Sequence, residues 1–259
     1  MKTITAISIS DRKGMRKKNI EATTLIAGFG LQHDAHGGDW HRQVSFLAEE
    51  SIESMRQKGL SVVAGNFAEN ITTTGLHLTG LEVGTHVTIG ETELIISQLG
   101  KICHKPCAIY HQAGDCVMPR EGIFAVVIQG GEIKVGDAIK VSDRHSASAA
   151  IVGNDSIEKE AVKNVVRKTF QPAFVRFDTV NNKKGGTLGA IIDDLTLTQK
   201  TKDIVIVDPT GELGLSLSGL PLQENGPNRY TCRQSTVYYC RSCNPSLDAP
   251  TDSFFIKSL

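Results

Sequence analysis

Hydrophobic and polar residues alternate along much of the first half of the chain, which is the pattern of half-buried β-strands. The segment TITAISIS at residues 3–10 alternates in this way and predicts a first strand. Residues 86–100 predict two strands around a Gly-Glu turn, and residues 122–141 predict two more around Gly130 and Gly131. Many short strands with glycine turns favour a closed or strongly curved sheet.

One helix is predicted within this β-rich half, in the segment SFLAEESIESMRQKG at residues 45–59. Gly59 supplies a natural C-terminal stop. The apolar positions that indicate the helix are Phe46, Leu47, Ile52 and Met55.

The pattern changes after the segment SDRHSASAA at residues 142–150. A buried strand, an amphipathic helix capped by Asp155 or Ser156, a second strand, a second helix and a third strand follow each other. This order predicts parallel strand pairing. We therefore predict a mainly β N-terminal domain with a few helices at residues 1–143, followed by a small α/β domain at residues 148–259. The pattern beyond about residue 213 is rich in turns and predicts no regular fold.

Composition narrows the class of protein without identifying it. A hydrophobic content of 40% and a charged content of 22% are ordinary for a globular protein. A formal net charge of zero argues against binding to nucleic acid or to acidic membranes by bulk charge. The sequence has no apolar run long enough for a transmembrane helix, and its N-terminus lacks the apolar block of a signal peptide. We expect a cytoplasmic protein, in which cysteines are more often reduced, catalytic or metal-bound than paired.

Three of the six cysteines lie close together in the segment GKICHKPCAIYHQAGDC at residues 100–116. Cys103 and Cys107 have C-x3-C spacing, which fits a structural zinc site only loosely. Cysteine is among the most buried residue types, and packing is the favoured role for Cys103 and Cys116.

Cys107 has different surroundings because it follows Pro106, which stiffens the backbone. Cations nearby in the sequence would favour its thiolate form, which attacks sulfur or carbon and binds soft metals. The residue types alone therefore predict a candidate reactive cysteine and leave the metal and packing roles open. These cations are Lys101, His104, Lys105 and Arg120.

Four segments, in this order, resemble the MOSC domain, a family related to the C-terminal domain of molybdenum cofactor sulfurase. The resemblance covers about residues 1–143 and implies a β-barrel-type fold with a pocket that holds one cysteine in a Pro-Cys context, here Cys107. In the family this thiol is thought to ligate the molybdenum of the pterin cofactor or to carry sulfane sulfur as a persulfide. The segments are GDWHRQVSFLAEESIE, GNFAENITTTGLHLTGLEVGTHVTIGE, GKICHKPCAIY and MPREGIFAVVIQGGEIKVGDAIKV.

The resemblance also implies further residues of the site. The GNFAEN segment puts Glu69 and Asn70 beside the pocket, with Ala68 where the family usually has glycine. The histidine-rich segment adds two histidines and an arginine. Asn70 suits a pterin edge because its amide both donates and accepts hydrogen bonds. An arginine fork suits a phosphate or a molybdenum oxo group, and Lys105 or Arg120 would give further anion contacts. The residues of the histidine-rich segment are His36, His41 and Arg42.

Structural roles remain open for the same residues. Asn70 would also suit a position that holds a turn, and Glu69 would suit a loop carboxylate exposed to solvent. His36 and His41 would suit loop caps or packing positions. For a cysteine near Cys107, a role in resolving a persulfide stands beside simple packing.

The second half resembles no family that its residues identify. Its GGTLG string, residues 185–189, lacks the Gly-Gly-Thr-Gly signature of the molybdopterin-adenylylating domain that follows some MOSC domains, and a plain strand-to-helix turn is favoured. The tail contains Cys232, Cys240 and Cys243, and a C-x2-C pair is typical of zinc or iron-sulfur sites. No histidine follows His145, so the fourth ligand of such a site would come from elsewhere.

The resemblance implies a protein of molybdenum cofactor metabolism. Cys107 would accept sulfane sulfur from a pyridoxal-phosphate-dependent cysteine desulfurase and deliver it to a molybdenum enzyme. Alternatively, Cys107 would ligate molybdenum while Arg42 and Asn70 hold the pterin phosphate. Two other functions stay open: a non-catalytic carrier that docks through its second half, and a molybdenum-dependent reductase of N-hydroxylated compounds. Nucleic acid and membrane partners are not expected.

Overall fold

The computed structural model describes residues 1–100, 108–154, 157–180, 186–208, 213, 223–224 and 229–240. The chain divides into two compact units, Met1–Ser146 and Ala147–Leu259. The division falls within residues 142–150, where the sequence pattern changes. Among the described helices, none is both long enough and apolar enough to cross a membrane.

The described part of the first unit is built mainly from strands. They are β1 (Thr3–Ile9), β2 (Lys18–Ile20), β3 (Ala22–Ile26), β4 (Gly30–Leu31), β5 (Val44–Ala48), β6 (Ile71–Thr74), β7 (Thr85–Ile89), β8 (Thr92–Leu99), β9 (Ile123–Gln129), β10 (Gly131–Lys134) and β11 (Ile139–His145). The helices are α1 (Glu49–Gln57), α2 (Ala108–Ala113) and α3 (Met118–Glu121), with a 3₁₀ turn at Leu78–Gly80.

An eight-stranded sheet forms the body of this unit, in the order β11-β7-β8-β9-β5-β6-β1-β2. A three-stranded sheet, β10-β3-β4, accompanies it. Backbone hydrogen bonds from Ile4 N to Asp137 O and from Ile139 N to Lys2 O join the start of β1 to the residues that lead into β11. The sheet therefore curls until strands far apart in its order meet, which confirms the predicted curved, mainly β fold.

Two details of the first unit differ from the sequence-based expectation. The helix begins at Glu49, because residues 44–48 form the strand β5 between β9 and β6. A strand buried on both faces reads as a continuous apolar run, which period alone cannot separate from a helix. The region predicted to hold two strands at residues 122–141 holds three, and the second of these, β10, pairs with β3.

The second unit is an α/β sheet, as predicted. Its strands lie in the order β13-β12-β14-β17-β16-β15, and the pairs from β13 to β17 are parallel. The strands are β12 (Ser148–Gly153), β13 (Phe174–Thr179), β14 (Asp203–Val207), β15 (Gln223–Glu224), β16 (Arg229–Cys232) and β17 (Ser235–Cys240). The helices are α4 (Lys159–Phe170) and α5 (Leu188–Asp193), which continues as a π-helix at Asp194–Thr198.

Two expectations for the second unit were wrong. Helix α4 begins at Lys159 with Glu158 at its N-cap, and not with Asp155 or Ser156, which lie outside the described residues. The region beyond residue 213 contains the strands β15, β16 and β17. The hairpin between β16 and β17 forms because Arg233 adopts the left-handed conformation, with φ of 56°, that the tight turn requires.

Candidate functional site

Asn70 has a fully engaged side chain in the residues that connect to β6. Its Oδ1 accepts hydrogen bonds from Ser45 N at 3.1 Å and Ser45 Oγ at 2.9 Å. Its Nδ2 donates to Ser8 O and to Asp34 Oδ2, both at 3.1 Å. A side-chain amide offers two donors and two lone pairs, and all four are used here. Asn70 therefore ties β1, β5 and Asp34 together, and the pterin contact predicted for it stays a prediction.

A buried ion pair lies against Asn70. Lys17 Nζ is 2.8 Å from Asp34 Oδ2, and both side chains are fully buried. Ser10 N donates to Asp34 Oδ1 at 2.9 Å, and His36 Nδ1 lies 3.7 Å from Oδ2. Burial acts to raise the pKa of Asp34, but the contacts with His36, Lys17 and Ser10 outweigh it and hold this pKa well below its usual range.

Asp34 and Lys17 are central residues that the sequence analysis did not select. Asp34 stood in the histidine-rich segment, two residues before His36, and this position was the only signal for it. Lys17 gave no signal, because a lysine in a polar loop is normally solvated.

Glu69 is completely buried and binds the loop that precedes it. Its Oε1 accepts from Gly65 N at 2.5 Å and its Oε2 from Phe67 N at 3.0 Å. Burial raises the pKa of Glu69, opposed by these amides. The loop also places Ala68 at a φ of 66°, a left-handed conformation that glycine adopts more easily. Glu69 is therefore a structural carboxylate, and the solvated-loop alternative is wrong.

Arg42 lies between two aromatic rings. Its guanidinium carbon is 4.7 Å from the centroid of the Trp40 ring and 5.7 Å from that of Phe124. Trp40 Nε1 donates to His36 O at 2.9 Å, which fixes the indole against the histidine-rich segment. Stacking of this kind orients the planar fork of donors by which arginine binds oxyanions.

His41 is buried and linked to the end of β8. Its Nε2 lies 2.8 Å from Gln98 Oε1, and Gln98 Nε2 donates to Gly100 O at 2.7 Å. Ser97 Oγ also donates to His41 O. Gly100 is the last described residue before the segment that carries Cys107. The contacts of His41 thus fix the point from which that segment leaves the sheet.

Arg120 binds an acidic residue, whereas Cys116 lies in an apolar cluster. Arg120 forms two hydrogen bonds with Asp115, at 2.8 Å and 2.9 Å, and Lys58 Nζ reaches the same carboxylate at 2.7 Å. These three side chains are substantially exposed. Cys116 is buried in a hydrophobic cluster with Val117 and Met118, which agrees with the packing role predicted for it.

Several predicted site residues cannot be placed. Cys103, Lys105, Cys107 and Cys243 lie outside the described residues. Cys232 is buried in the apolar core of the second unit, and only the backbone of Cys240 is described, in β17. Among the described residues no group of three or more histidines, cysteines or carboxylates could hold a metal ion. The metal site predicted for the tail cysteines therefore stays a prediction.

A cleft of about 640 Å³ opens at one end of the eight-stranded sheet. Its walls include Glu50, His77 and Glu121. Gly75 N and Thr74 Oγ1 donate to Glu50 Oε1 at 3.0 Å and 3.1 Å, and chiefly the bond from Gly75 lowers the pKa of Glu50. The cleft residues Glu50, Gly75 and Glu121 lie where β5 and β6 end and β9 begins.

Gly100, the last described residue before Cys107, lies at the same end of the sheet as this cleft. Leu99, at the end of β8, pairs with Ile123 at the start of β9. Gly100 N then donates to Gly122 O at 2.7 Å, and Gly122 directly follows Glu121, a residue of the cleft. The register of the sheet therefore brings Gly100 close to the cleft.

The fold and these residues define a curved β-domain that contains a histidine-rich segment, an arginine stacked on an aromatic ring and a buried Asp-Lys-Asn cluster. Residues 32–140 match the family model of the MOSC domain. This match falls within the part of the chain whose segments resemble the MOSC domain.

Solved structures with similarity to about half of the chain include YuaD from Bacillus subtilis, with 20% identity, a TM-score of 0.46, and coverage of 54% of this chain and 96% of that chain. YiiM from Geobacillus stearothermophilus has 19% identity, a TM-score of 0.44, and coverage of 55% and 76%. YiiM from Escherichia coli has 19% identity, a TM-score of 0.42, and coverage of 56% and 71%. A search of curated proteins finds no match.

Proposed function

We propose that this protein acts in molybdenum cofactor metabolism in the cytoplasm, with Cys107 as its reactive thiol. The observation that carries the proposal is the match of residues 32–140 to the MOSC family model, a region that contains the Pro-Cys pair. Two features support it: Gly100, seven residues before Cys107, lies close to a cleft, and Arg42, which stacks on Trp40, belongs to the same matched region. A reducing compartment keeps such a thiol free for chemistry.

The preferred chemistry is sulfur relay. The Cys107 thiolate attacks the terminal sulfur of a persulfide on a pyridoxal-phosphate-dependent cysteine desulfurase. The new bond joins Cys107 Sγ to that sulfur, the donor's sulfur-sulfur bond breaks, and the donor cysteine leaves as a thiolate. The Cys107 persulfide then passes its terminal sulfur to an acceptor associated with a molybdenum enzyme.

The residues of the domain also suit the cofactor itself, which supplies a redox-active molybdenum when it is bound. A thiolate at Cys107 is a soft ligand for such a metal. Arg42 would hold the pterin phosphate or an oxo group, with Lys105 as a second cation. Arg120 would bind the anion only by releasing the two hydrogen bonds that it donates to Asp115.

Asn70 and Glu69 act in this proposal as positioning residues. Asn70 holds Asp34 and Ser45, and Glu69 holds the loop before β6, as their contacts above describe. His41 has the same kind of role, because it acts through Gln98 on Gly100.

The test is purification of the full chain without oxygen, followed by intact mass, metal analysis and pterin fluorescence. Relay predicts one additional sulfur on the Cys107 peptide after incubation with a cysteine desulfurase and cysteine. Bound molybdenum together with pterin fluorescence would instead favour ligation of molybdenum by Cys107. Both a carrier and a reductase would give this result. Both properties are expected to disappear in Cys107→Ala.

Cys116→Ala is the matched control, because this cysteine is buried in the hydrophobic cluster of the same domain. It should leave sulfur loading and molybdenum content unchanged. If Cys107→Ala kept both properties at the level of the unmodified protein, the proposed site would be wrong.

Trp40→Leu is expected to weaken the binding of molybdate about tenfold. Leucine removes the ring that stacks on Arg42, and a cation–π contact of this kind contributes about 0.5–2 kcal/mol. Isothermal titration calorimetry with sodium molybdate measures the change. Trp40→Phe keeps a ring and should retain most of the affinity, whereas equal affinity in Trp40→Leu would show that stacking does not position Arg42.

A further inference from the structure

A chain of three side chains lies at the β11 edge of the eight-stranded sheet, and none of them has a part in the function proposed above. Ser146 Oγ is 2.7 Å from His86 Nε2. His86 Nδ1 is 2.6 Å from Glu93 Oε1. A hydroxyl, an imidazole and a carboxylate in this order, each within hydrogen-bond reach, are the parts of a nucleophile activated by a general base.

The sheet builds this arrangement from residues distant in sequence. His86 lies on β7 and Glu93 on the adjacent antiparallel strand β8. The register between β11 and β7 shifts between Val141 and His145, and an irregularity of this kind re-aims the residues that follow it. Ser146 is the next residue.

Gly84 allows the close approach that seats Ser146. Ser146 N donates to Gly84 O at 3.0 Å. Gly84 has a φ of 98°, and a Cβ at this position would overlap the carbonyl oxygen of Ser146. Any other residue would therefore push the Ser146 backbone away from His86.

Arg144 adds a positive charge to the cluster, beside the carboxylate of Glu93. Its Nη2 lies 2.6 Å from Glu93 Oε1 and 2.8 Å from His86 Nδ1. Both nitrogens can donate to the same carboxylate oxygen, because that oxygen has two lone pairs. With its proton on Nδ1, His86 donates to Glu93 and its Nε2 accepts the proton of Ser146; in the other tautomer Nδ1 accepts from Arg144 and Nε2 donates to Ser146. The reaction proposed below uses the first tautomer. The His86 side chain is only 7% exposed, whereas Ser146 is partly exposed to solvent.

We propose that Ser146, His86 and Glu93 form an acyl-transfer site for small ester or thioester donors. Ser146 Oγ forms a bond to the acyl carbon while its proton passes to His86 Nε2. The bond from the acyl carbon to the leaving oxygen or sulfur then breaks, and the proton passes to the leaving group. Water attacks the acyl-serine in the reverse sense, which releases the carboxylic acid and restores the serine hydroxyl.

The experiment incubates the full chain with p-nitrophenyl acetate and follows p-nitrophenolate release together with the mass of the peptide that contains Ser146. The expected result is an acetyl group on Ser146 that is lost in Ser146→Ala. His86→Gln should slow acetylation about 100-fold, which is the low end of what general-base catalysis contributes. Ser142→Ala, on the strand β11 that precedes Ser146, is the matched control and should react like the unmodified protein.

Circular dichroism establishes that each variant is folded. If His86→Gln does not fold, Glu93→Gln replaces it and should slow acetylation because the imidazole loses its oriented proton. Absence of acetyl on Ser146, or acetylation at an equal rate in the folded His86→Gln or Glu93→Gln variant, overturns the proposal and leaves the cluster a structural one.

Discussion

Asp34→Ala is expected to lower the free energy of unfolding of the first unit by about 3–5 kcal/mol. The substitution leaves the ammonium of Lys17 buried without this carboxylate, whose distance from it is 2.8 Å. It also removes the acceptor of Ser10 N and of Asn70 Nδ2. Urea denaturation followed by circular dichroism measures the loss.

The double variant Lys17→Met, Asp34→Leu is the informative control. Replacing both members of a buried ion pair by apolar residues is often neutral, because their desolvation cost disappears together with their attraction. The double variant should therefore be markedly more stable than Asp34→Ala. An exposed pair gives the opposite control: Asp115→Ala should cost less than about 1 kcal/mol. An equally small loss in Asp34→Ala would contradict the view that the buried pair holds the domain together.

Acid adds a second measurement on the same variants. The pKa of Asp34 is lowered in the folded protein, chiefly by its contacts with His36 and Lys17 acting against burial. A carboxyl group with a depressed folded pKa contributes stability above its unfolded pKa, near 3.9, and loses it as the pH falls toward the folded value. The unmodified protein should therefore lose more stability than the double variant as the pH falls below about 4.

The sequence predicted those parts of the fold that have a clear local period. The alternation of apolar and polar residues predicted β1, β7 and β8, and the order of elements after residue 147 implied parallel pairing. β5 was missed because it is central in the sheet and apolar on both faces. The pairing of β10 with β3, about 110 residues earlier in the chain, has no local signal, since the curvature of the domain creates it.

The site was predictable only where a motif marked it. Arg42, Glu69 and Asn70 came from segments that resemble the MOSC domain, but their partners did not. The pair of Lys17 and Asp34 depends on which loops the sheet brings together. The contact between His86 and Ser146 joins residues 60 positions apart through a shift in strand register.

Glu69→Ala is expected to destabilise the first unit by about 2–6 kcal/mol, because each of two buried donors left without an acceptor costs about 1–3 kcal/mol. The two donors are the amides of Gly65 and Phe67, which bind the two oxygens of the carboxylate. The effect should extend to the ion pair, since Gly65 O accepts from Lys17 N at 3.1 Å. Urea denaturation gives the loss, and hydrogen exchange of the Gly65 and Phe67 amides should become faster.

Two variants separate this structural role from a general effect of charge. Glu69→Gln keeps one oxygen but turns an amide donor toward one of the two backbone N–H groups, so its cost should fall between those of the unmodified protein and Glu69→Ala. Glu53→Ala removes an exposed carboxylate of α1 that pairs with Arg56 at 3.1 Å, and it should change the free energy of unfolding by less than about 0.5 kcal/mol. If Glu69→Ala were as mild as Glu53→Ala, the loop before β6 would be held by its backbone alone. The placement of Asn70 would then not depend on the carboxylate next to it.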